Sequence, residues 1–250
     1  MNRLLNKIAV VTGSGSGIGQ AISKELLHAK ATVIGLDKNH RGLEDFKLSL
    51  PSDQQKSFDT IKCDVRDNEE INKIFSMIFK NYGRLDFLIN SAGILRHGNL
   101  IKMPLSDIRE TLDTLVMGAV NCTRHAFRYM QENKNDGHII FINSINGHKI
   151  PPFLGRSIPT TNMYTPSKYA ITAMIEVLRQ ELLNSESNVK VTGISPGLTE
   201  TPIVPEFLLQ NPHIRVLQPK DVADCVIFAL NTPPHVQVHE LIVLPLGGIL

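Results

Sequence analysis

The sequence predicts one doubly wound α/β domain spanning residues 1–250, a parallel sheet of about seven strands with helices on both faces. Three observations carry this reading. Short runs of β-favouring residues recur along the chain, several of them apolar at consecutive positions, as in strands covered on both sides. Between them stand helix-length segments with apolar residues at three- and four-residue spacing. The connections are mostly short, and no repeat, low-complexity tract or long linker divides the chain.

The first strand is Ile8–Val11, and the helix after it carries Ile18, Ile22, Leu26 and Leu27 on one side. Thr32–Leu36 and Phe58–Lys62 are the second and third strands. A helix with Ile71, Ile74, Phe75 and Ile78 leads into the fourth, Asp86–Ile89. His138–Ile142 is the fifth. Ala170, Ala173, Met174, Val177, Leu178, Glu181 and Leu182 mark the stripe of the next long helix, and Val189–Ile194 and Glu240–Leu244 complete the sheet. Two connections are long and proline-containing, Lys149–Met163 and Pro196–Pro219. Long connections in a compact domain tend to carry function, and both follow strands, at the sheet edge where such folds bind ligands. Residues 198–219 read as a substrate lid, with Leu198, Ile203, Val204, Phe207, Leu208 and Leu209 as an apolar wall. The same residues also suit an amphipathic helix that merely packs.

The 26 Lys and Arg against 24 Asp and Glu leave a formal charge of +2, without blocks of like charge. This speaks against nucleic-acid or membrane-surface partners. No apolar run approaches the roughly 20 residues that span a bilayer, and the N-terminus lacks the apolar core of a secretory signal. Cys63, Cys122 and Cys225 are far apart, which suits reduced thiols in a cytoplasmic protein and neither a disulfide framework nor a metal site. The histidines lack metal-ligand spacing.

The first strand runs into Thr12-Gly13-Ser14-Gly15-Ser16-Gly17-Ile18-Gly19, and a helix follows at once. Such a turn lets backbone N–H groups and a helix N-terminus approach a pyrophosphate closely. The pattern is T-G-x-x-x-G-x-G, not a literal G-x-G-x-x-G, and no lysine follows as in a P-loop. Asp37 ends the second strand, where a carboxylate can accept hydrogen bonds from adenosine ribose hydroxyls and repel a 2'-phosphate. NAD is therefore favoured over NADP. Lys38 works against this as a possible phosphate partner, and a turn or cap role for Asp37 stays open.

Tyr164 and Lys168 are four residues apart, on one face of a helix whose first turn tolerates Pro166. A free phenol is only ~0.1% ionised at pH 7, and a nearby ammonium can lower its pKa toward the range useful for proton transfer. Ser144 follows the fifth strand, where its hydroxyl can bond the same substrate oxygen. The Y-x-x-x-K spacing alone carries little weight; the order of glycine loop, acidic strand end, serine, then tyrosine and lysine carries more.

In that order the chain resembles the short-chain dehydrogenase/reductase family in its single-domain, Rossmann-type form. The matching stretches are Thr12 to Gly19, Cys63-Asp64-Val65, Asn90-Ser91-Ala92-Gly93, Ser144, Tyr164 with Lys168, and Ser195-Pro196-Gly197-Leu198-Thr199-Glu200-Thr201. Leu178-Arg179-Gln180-Glu181-Leu182 and Thr232 to Leu241 are most similar to its insect farnesol dehydrogenase-like branch. The resemblance implies Tyr164 as acid/base, Lys168 as the group that lowers its pKa and holds the nicotinamide ribose, and Ser144 as the residue orienting the substrate oxygen. It implies a cofactor cleft built from Gly13, Ser16, Gly17, Ile18, Gly19, Asp37, Lys38, Asp64, Val65, Asn90, Ala92, Gly93, Pro196, Gly197, Thr199 and Thr201. It also implies a homodimer or homotetramer, assembled through helices around Leu105–Met130 and Thr165–Leu183.

The chain departs from the family twice. Where relatives have N-x-x-G, with the Asn supporting a proton-relay water, it reads Leu115-Val116-Met117-Gly118. The 20 residues from Ser144 to Tyr164 also exceed the family's usual spacing, which keeps Ser157 as a weaker alternative to Ser144. The function expected is hydride transfer between NAD(H) and a small hydrophobic alcohol, ketone or aldehyde, isoprenoid or steroid-like. The alternatives are a cofactor-binding protein of low activity, regulatory or scaffolding, and an NADP-dependent carbonyl or oxoacyl reductase.

Overall fold

A computed structural model describes residues 3–134, 136–150, 161–185 and 187–247, apart from the Phe207 side chain. Chain order is β1 (Ile8–Thr12), α1 (Gly17–His28), β2 (Thr32–Asp37), α2 (His40–Ser49), α3 (Ser52–Gln55), β3 (Phe58–Lys62), α4 (Asn68–Tyr82) and β4 (Phe87–Asn90). It continues with α5 (Leu105–Leu112), a π-helical turn (Asp113–Met117), α6 (Gly118–Glu132), β5 (His138–Ile142) and a 3₁₀ turn (Ile145–Gly147). Then come α7 (Tyr164–Asn184), β6 (Lys190–Pro196), α8 (Glu206–Leu209), α9 (Pro219–Asn231) and β7 (Glu240–Val243).

The described strands form one sheet in the order β3-β2-β1-β4-β5-β6-β7, with every pairing parallel. Strand periodicity divides the apolar residues between two cores. Ala9 and Val11 of β1, with Ile140 and Ile142 of β5, face α1, α2 and α9. Ile8 and Val10, with Ile139 and Phe141, face α4, α6 and α7. Consecutive apolar residues in one strand thus serve opposite faces, as the unalternating runs predict.

Local chemistry sets the helix ends. Asp67 caps α4 by accepting from the N–H groups of Glu69 and Glu70, and Gly83 ends it at φ +67°. Pro219 opens α9, where the Asp221 carboxylate accepts the Gln218 N–H at 2.8 Å. Cys63 and Cys122 are buried and Cys225 is half-buried, all as free thiols.

The stripe expected on α7 is displaced. Ile171, Ile175 and Leu182 are the buried apolar residues, with Met174 and Leu178 packed beside them. Ala170, Ala173, Val177 and Glu181 face outward, because apolar residues occur on both sides of this helix and the sheet takes only one. Among the described residues, no helix is long and apolar enough to cross a membrane.

Candidate active site

A parallel sheet directs every strand's C-terminal end to one edge, and there the chain encloses a cavity of about 540 Å³. The turn after β1 forms one wall with Gly13, Ser16, Gly17, Ile18 and Gly19. Gly13 adopts φ +69°, and a side chain on it would meet the backbone of Ala92 at 2.9 Å. A side chain on Gly19 would run into the Gly13 carbonyl, so this packing of turn on helix requires glycine. Thr12 Oγ1 accepts from the N–H groups of Ser91 and Ala92, both at 3.0 Å, locking the segment after β4 against the glycine loop. The first turn of α1, whose N–H groups have no partner within the helix, opens onto the cavity.

Asp37 and Lys38 line the cavity from the end of β2. The Asp37 carboxylate accepts from the Gly15 N–H at 3.0 Å and the Asn39 N–H at 2.8 Å, so it is fixed beside the glycine loop. Val65, Ala92 and Gly93 form another side, and Pro196, Gly197, Thr199 and Thr201 approach from β6 and beyond. Asp64 and Asn90 are not among the lining residues. Asp64 is drawn to Arg66, whose guanidinium holds its carboxyl below the usual range. Asn90 is buried and donates 3.0 Å to Thr123 Oγ1 of α6, behind the wall.

Ser144, Tyr164 and Lys168 converge on the same cavity. Ser144 stands two residues beyond β5 in extended backbone, and its Oγ accepts the Asn146 N–H at 3.1 Å. Tyr164 opens α7 and Lys168 follows one turn later. The Lys168 Nζ donates 2.8 Å to the Ile142 carbonyl and lies 5.5 Å from the centre of the Tyr164 ring. Burial pulls the lysine's pKa down to about 8. Burial also pushes the tyrosine up, against a smaller downward pull from its hydrogen bond with Ser144. In the chain alone the ammonium therefore does not give the lowered phenol expected from Y-x-x-x-K; burial dominates both groups.

Leu115 is buried in the π-helical turn and lines both the main cavity and a smaller hollow shared with Thr12, Asn90, Gly118 and Lys168. Leu198, Ile203, Val204 and Leu208 of the expected lid line the main cavity, whereas Leu209 does not. The Phe207 side chain lies outside the described residues, as do 151–160 and therefore Ser157. Residues that the sequence did not single out also face the cavity, notably Asn143, Asn146, His97, Arg215 and Leu244. Asn143 and Asn146 flank Ser144, the one signal that was available for them.

Residues 7–211 match the family model for short chain dehydrogenase. The chain belongs to the short-chain dehydrogenase family. It is 42% identical to a farnesol dehydrogenase of Aedes aegypti, covering 99% of each chain, in keeping with the farnesol dehydrogenase-like branch. It is 35% identical to dehydrogenase/reductase SDR family member 11 of Mus musculus, over 98% of this chain and 96% of that one. Among solved structures, serine dehydrogenase from Escherichia coli superposes with a TM-score of 0.78 at 26% identity, over 94% of this chain and 96% of that one. A closed form of serine dehydrogenase complexed with NADP+ gives 0.81, also at 26% identity, over 94% and 93%. This short-chain dehydrogenase is accordingly an oxidoreductase with a site for a nicotinamide dinucleotide.

Proposed function

We propose that the chain transfers a hydride between NAD(H) and a hydrophobic alcohol, ketone or aldehyde, an isoprenoid such as farnesol or a steroid-like molecule. The observation that carries this reading is the convergence of Ser144, Tyr164 and Lys168 on a cavity walled by the glycine loop. The loop fits a dinucleotide: Gly13 and Gly19 leave no room for side chains, and the α1 N-terminus opens beside them. When bound, the nicotinamide accepts or returns the hydride.

In oxidation, Tyr164 takes the alcohol proton while the Ser144 hydroxyl holds the oxygen; in reduction, Tyr164 gives the proton back. Lys168 binds the nicotinamide ribose, and the phenol is brought toward the working range only in the assembled complex, since in the chain alone burial raises it. The apolar lining from Leu198, Ile203, Val204, Leu208 and Leu244 suits a hydrocarbon substrate, with 198–219 as the lid of a single domain. The Aedes aegypti farnesol dehydrogenase supports an isoprenoid alcohol. Asp37 supports NAD over NADP, since its carboxylate is fixed beside the glycine loop.

The test is an oxidation screen of farnesol, steroid alcohols and short secondary alcohols with both cofactors. We expect NADH formation, abolished by Tyr164→Phe with cofactor binding retained. kcat/KM should favour NAD by at least about 10-fold, a difference of about 1.4 kcal/mol, and Asp37→Ser should narrow that gap. A preference for NADP overturns the role given to Asp37. The buried Leu115 favours a second reading, a cofactor-binding protein of low activity, which NADH binding without turnover of any alcohol would support.

A further inference from the structure

His148, Ser195 and Glu240 form a cluster beside the catalytic serine to which no role in hydride transfer has been given. The 3₁₀ turn after β5 is capped by Ser144 at its start and by His148 at its end, and the His148 N–H donates to the Ile145 carbonyl at 2.9 Å. The His148 Nε2 lies 3.0 Å from Ser195 Oγ and 3.4 Å from Glu240 Oε1. Ser195, fully buried on β6, donates its hydroxyl to Glu240 Oε1 at 2.5 Å. Because the serine proton goes to the carboxylate, the serine oxygen is left to accept from His148, which places the ring proton on Nε2. The order of donation is His148 to Ser195 to Glu240.

Glu240 reaches this position because β6 carries Gly193 directly opposite it, and a side chain there would collide with the carboxylate. The other flank of the turn is held by α7. Thr172 Oγ1 donates 2.9 Å to the Gly147 carbonyl and accepts from the Asn143 amide at 2.8 Å. The turn presenting Ser144 is thus clamped between α7 on one side and β6 with β7 on the other. The cluster is not a hydrolytic triad, since one imidazole nitrogen faces both oxygens and the serine is sealed from substrate.

We propose that His148, Ser195 and Glu240 are positioning residues that hold the Ser144 turn against β6 and β7 and so set where the Ser144 hydroxyl meets the substrate oxygen. None of the three lines the cavity, so they act through Ser144, and the proposal rests on Ser144 being the residue that orients the substrate.

The test compares His148→Phe, His148→Gln, Ser144→Ala and the double variant His148→Phe/Ser144→Ala, using the alcohol and cofactor found by the screen above. Removing the donor in His148→Phe is expected to lower kcat about 10-fold or more, the scale of a misplaced catalytic group, with the Kd for NADH unchanged. His148→Gln, which keeps an N–H near the Nε2 position, restores most of kcat. In the Ser144→Ala background, His148→Phe has no additional effect, because the group it positions is gone. Amide exchange over residues 144–148 is faster in His148→Phe than in wild type, a readout independent of turnover. Unchanged exchange or unchanged kcat in His148→Phe, equal loss in Phe and Gln variants, or additive losses in the double variant each overturn the proposal. If Ser144→Ala itself keeps full kcat, the role of Ser144 fails and this inference fails with it. If Ser144→Ala is inactive while His148→Phe is not, the inference alone fails.

Discussion

Tyr164 and Lys168 show how burial moves an acid and a base in opposite directions at a single site. The phenol stands above its ordinary pKa and the lysine well below its own, both through burial. The lysine leaves a signature in stability. Its folded pKa is about 8, against about 10.4 when unfolded. Between those values the unfolded chain binds more protons, so this group makes stability rise as pH increases from about 8 to 10, and contributes no slope below that. Wild type should therefore gain in Tm relative to Lys168→Met as pH is raised through this window; a gap that stays constant or narrows contradicts a desolvated lysine. Side-chain direction is the limit of reading at this scale. Ser144, Tyr164 and Lys168 were legible because a strand end and a helical spacing place them. Asp64 and Asn90 were not, since Arg66 and Thr123 decide where their polar atoms point.

At the scale of elements, each strand was legible to within about two residues, because a run of β-branched and apolar residues between turn signals has few other uses. The face of α7 was not, since apolar residues occupy both of its sides and only packing chooses between them. Nor was the π-helical turn Asp113–Met117, which has no composition of its own. Leu115 sits in that turn between the cavity and the smaller hollow, where Asn90 Oδ1 is buried without a partner among the described residues. Leu115→Asn puts an amide beside that oxygen and beside Lys168. It is expected to raise kcat while lowering Tm, because a buried polar group costs about 1–3 kcal/mol where its hydrogen bonds are incomplete. No gain in kcat would show that proton transfer does not wait on an amide at this position.

For the molecule as a whole, the outward side of α7 is one of the faces that leave apolar residues uncovered. Val177 is 53% exposed and Tyr169 41%, with Ala170 and Ala173 exposed along the same helix, and Met117 is 48% exposed beside the start of α6. Small and apolar residues on an uncovered helix suit close packing against a second copy. A homodimer or homotetramer through α6 and α7 is the expected assembly, and Val177→Glu should shift the sedimentation mass toward monomer with the far-UV spectrum unchanged. A wild-type monomer at micromolar concentration would dismiss this assembly.

By itself the sequence determined the α/β class, the parallel sheet and the glycine loop, and it picked out Ser144, Tyr164 and Lys168, which meet at one cavity. These follow from local periodicity and from residue types that strand ends and helix starts place by short-range geometry. Only the tertiary structure decided which of the cofactor candidates face the cavity, which side of α7 is buried, and that His148 meets Ser195 and Glu240. Those depend on contacts between residues far apart in the chain, 47 positions for His148 and Ser195, and strand register and side-chain packing, rather than local spacing, bring such pairs together.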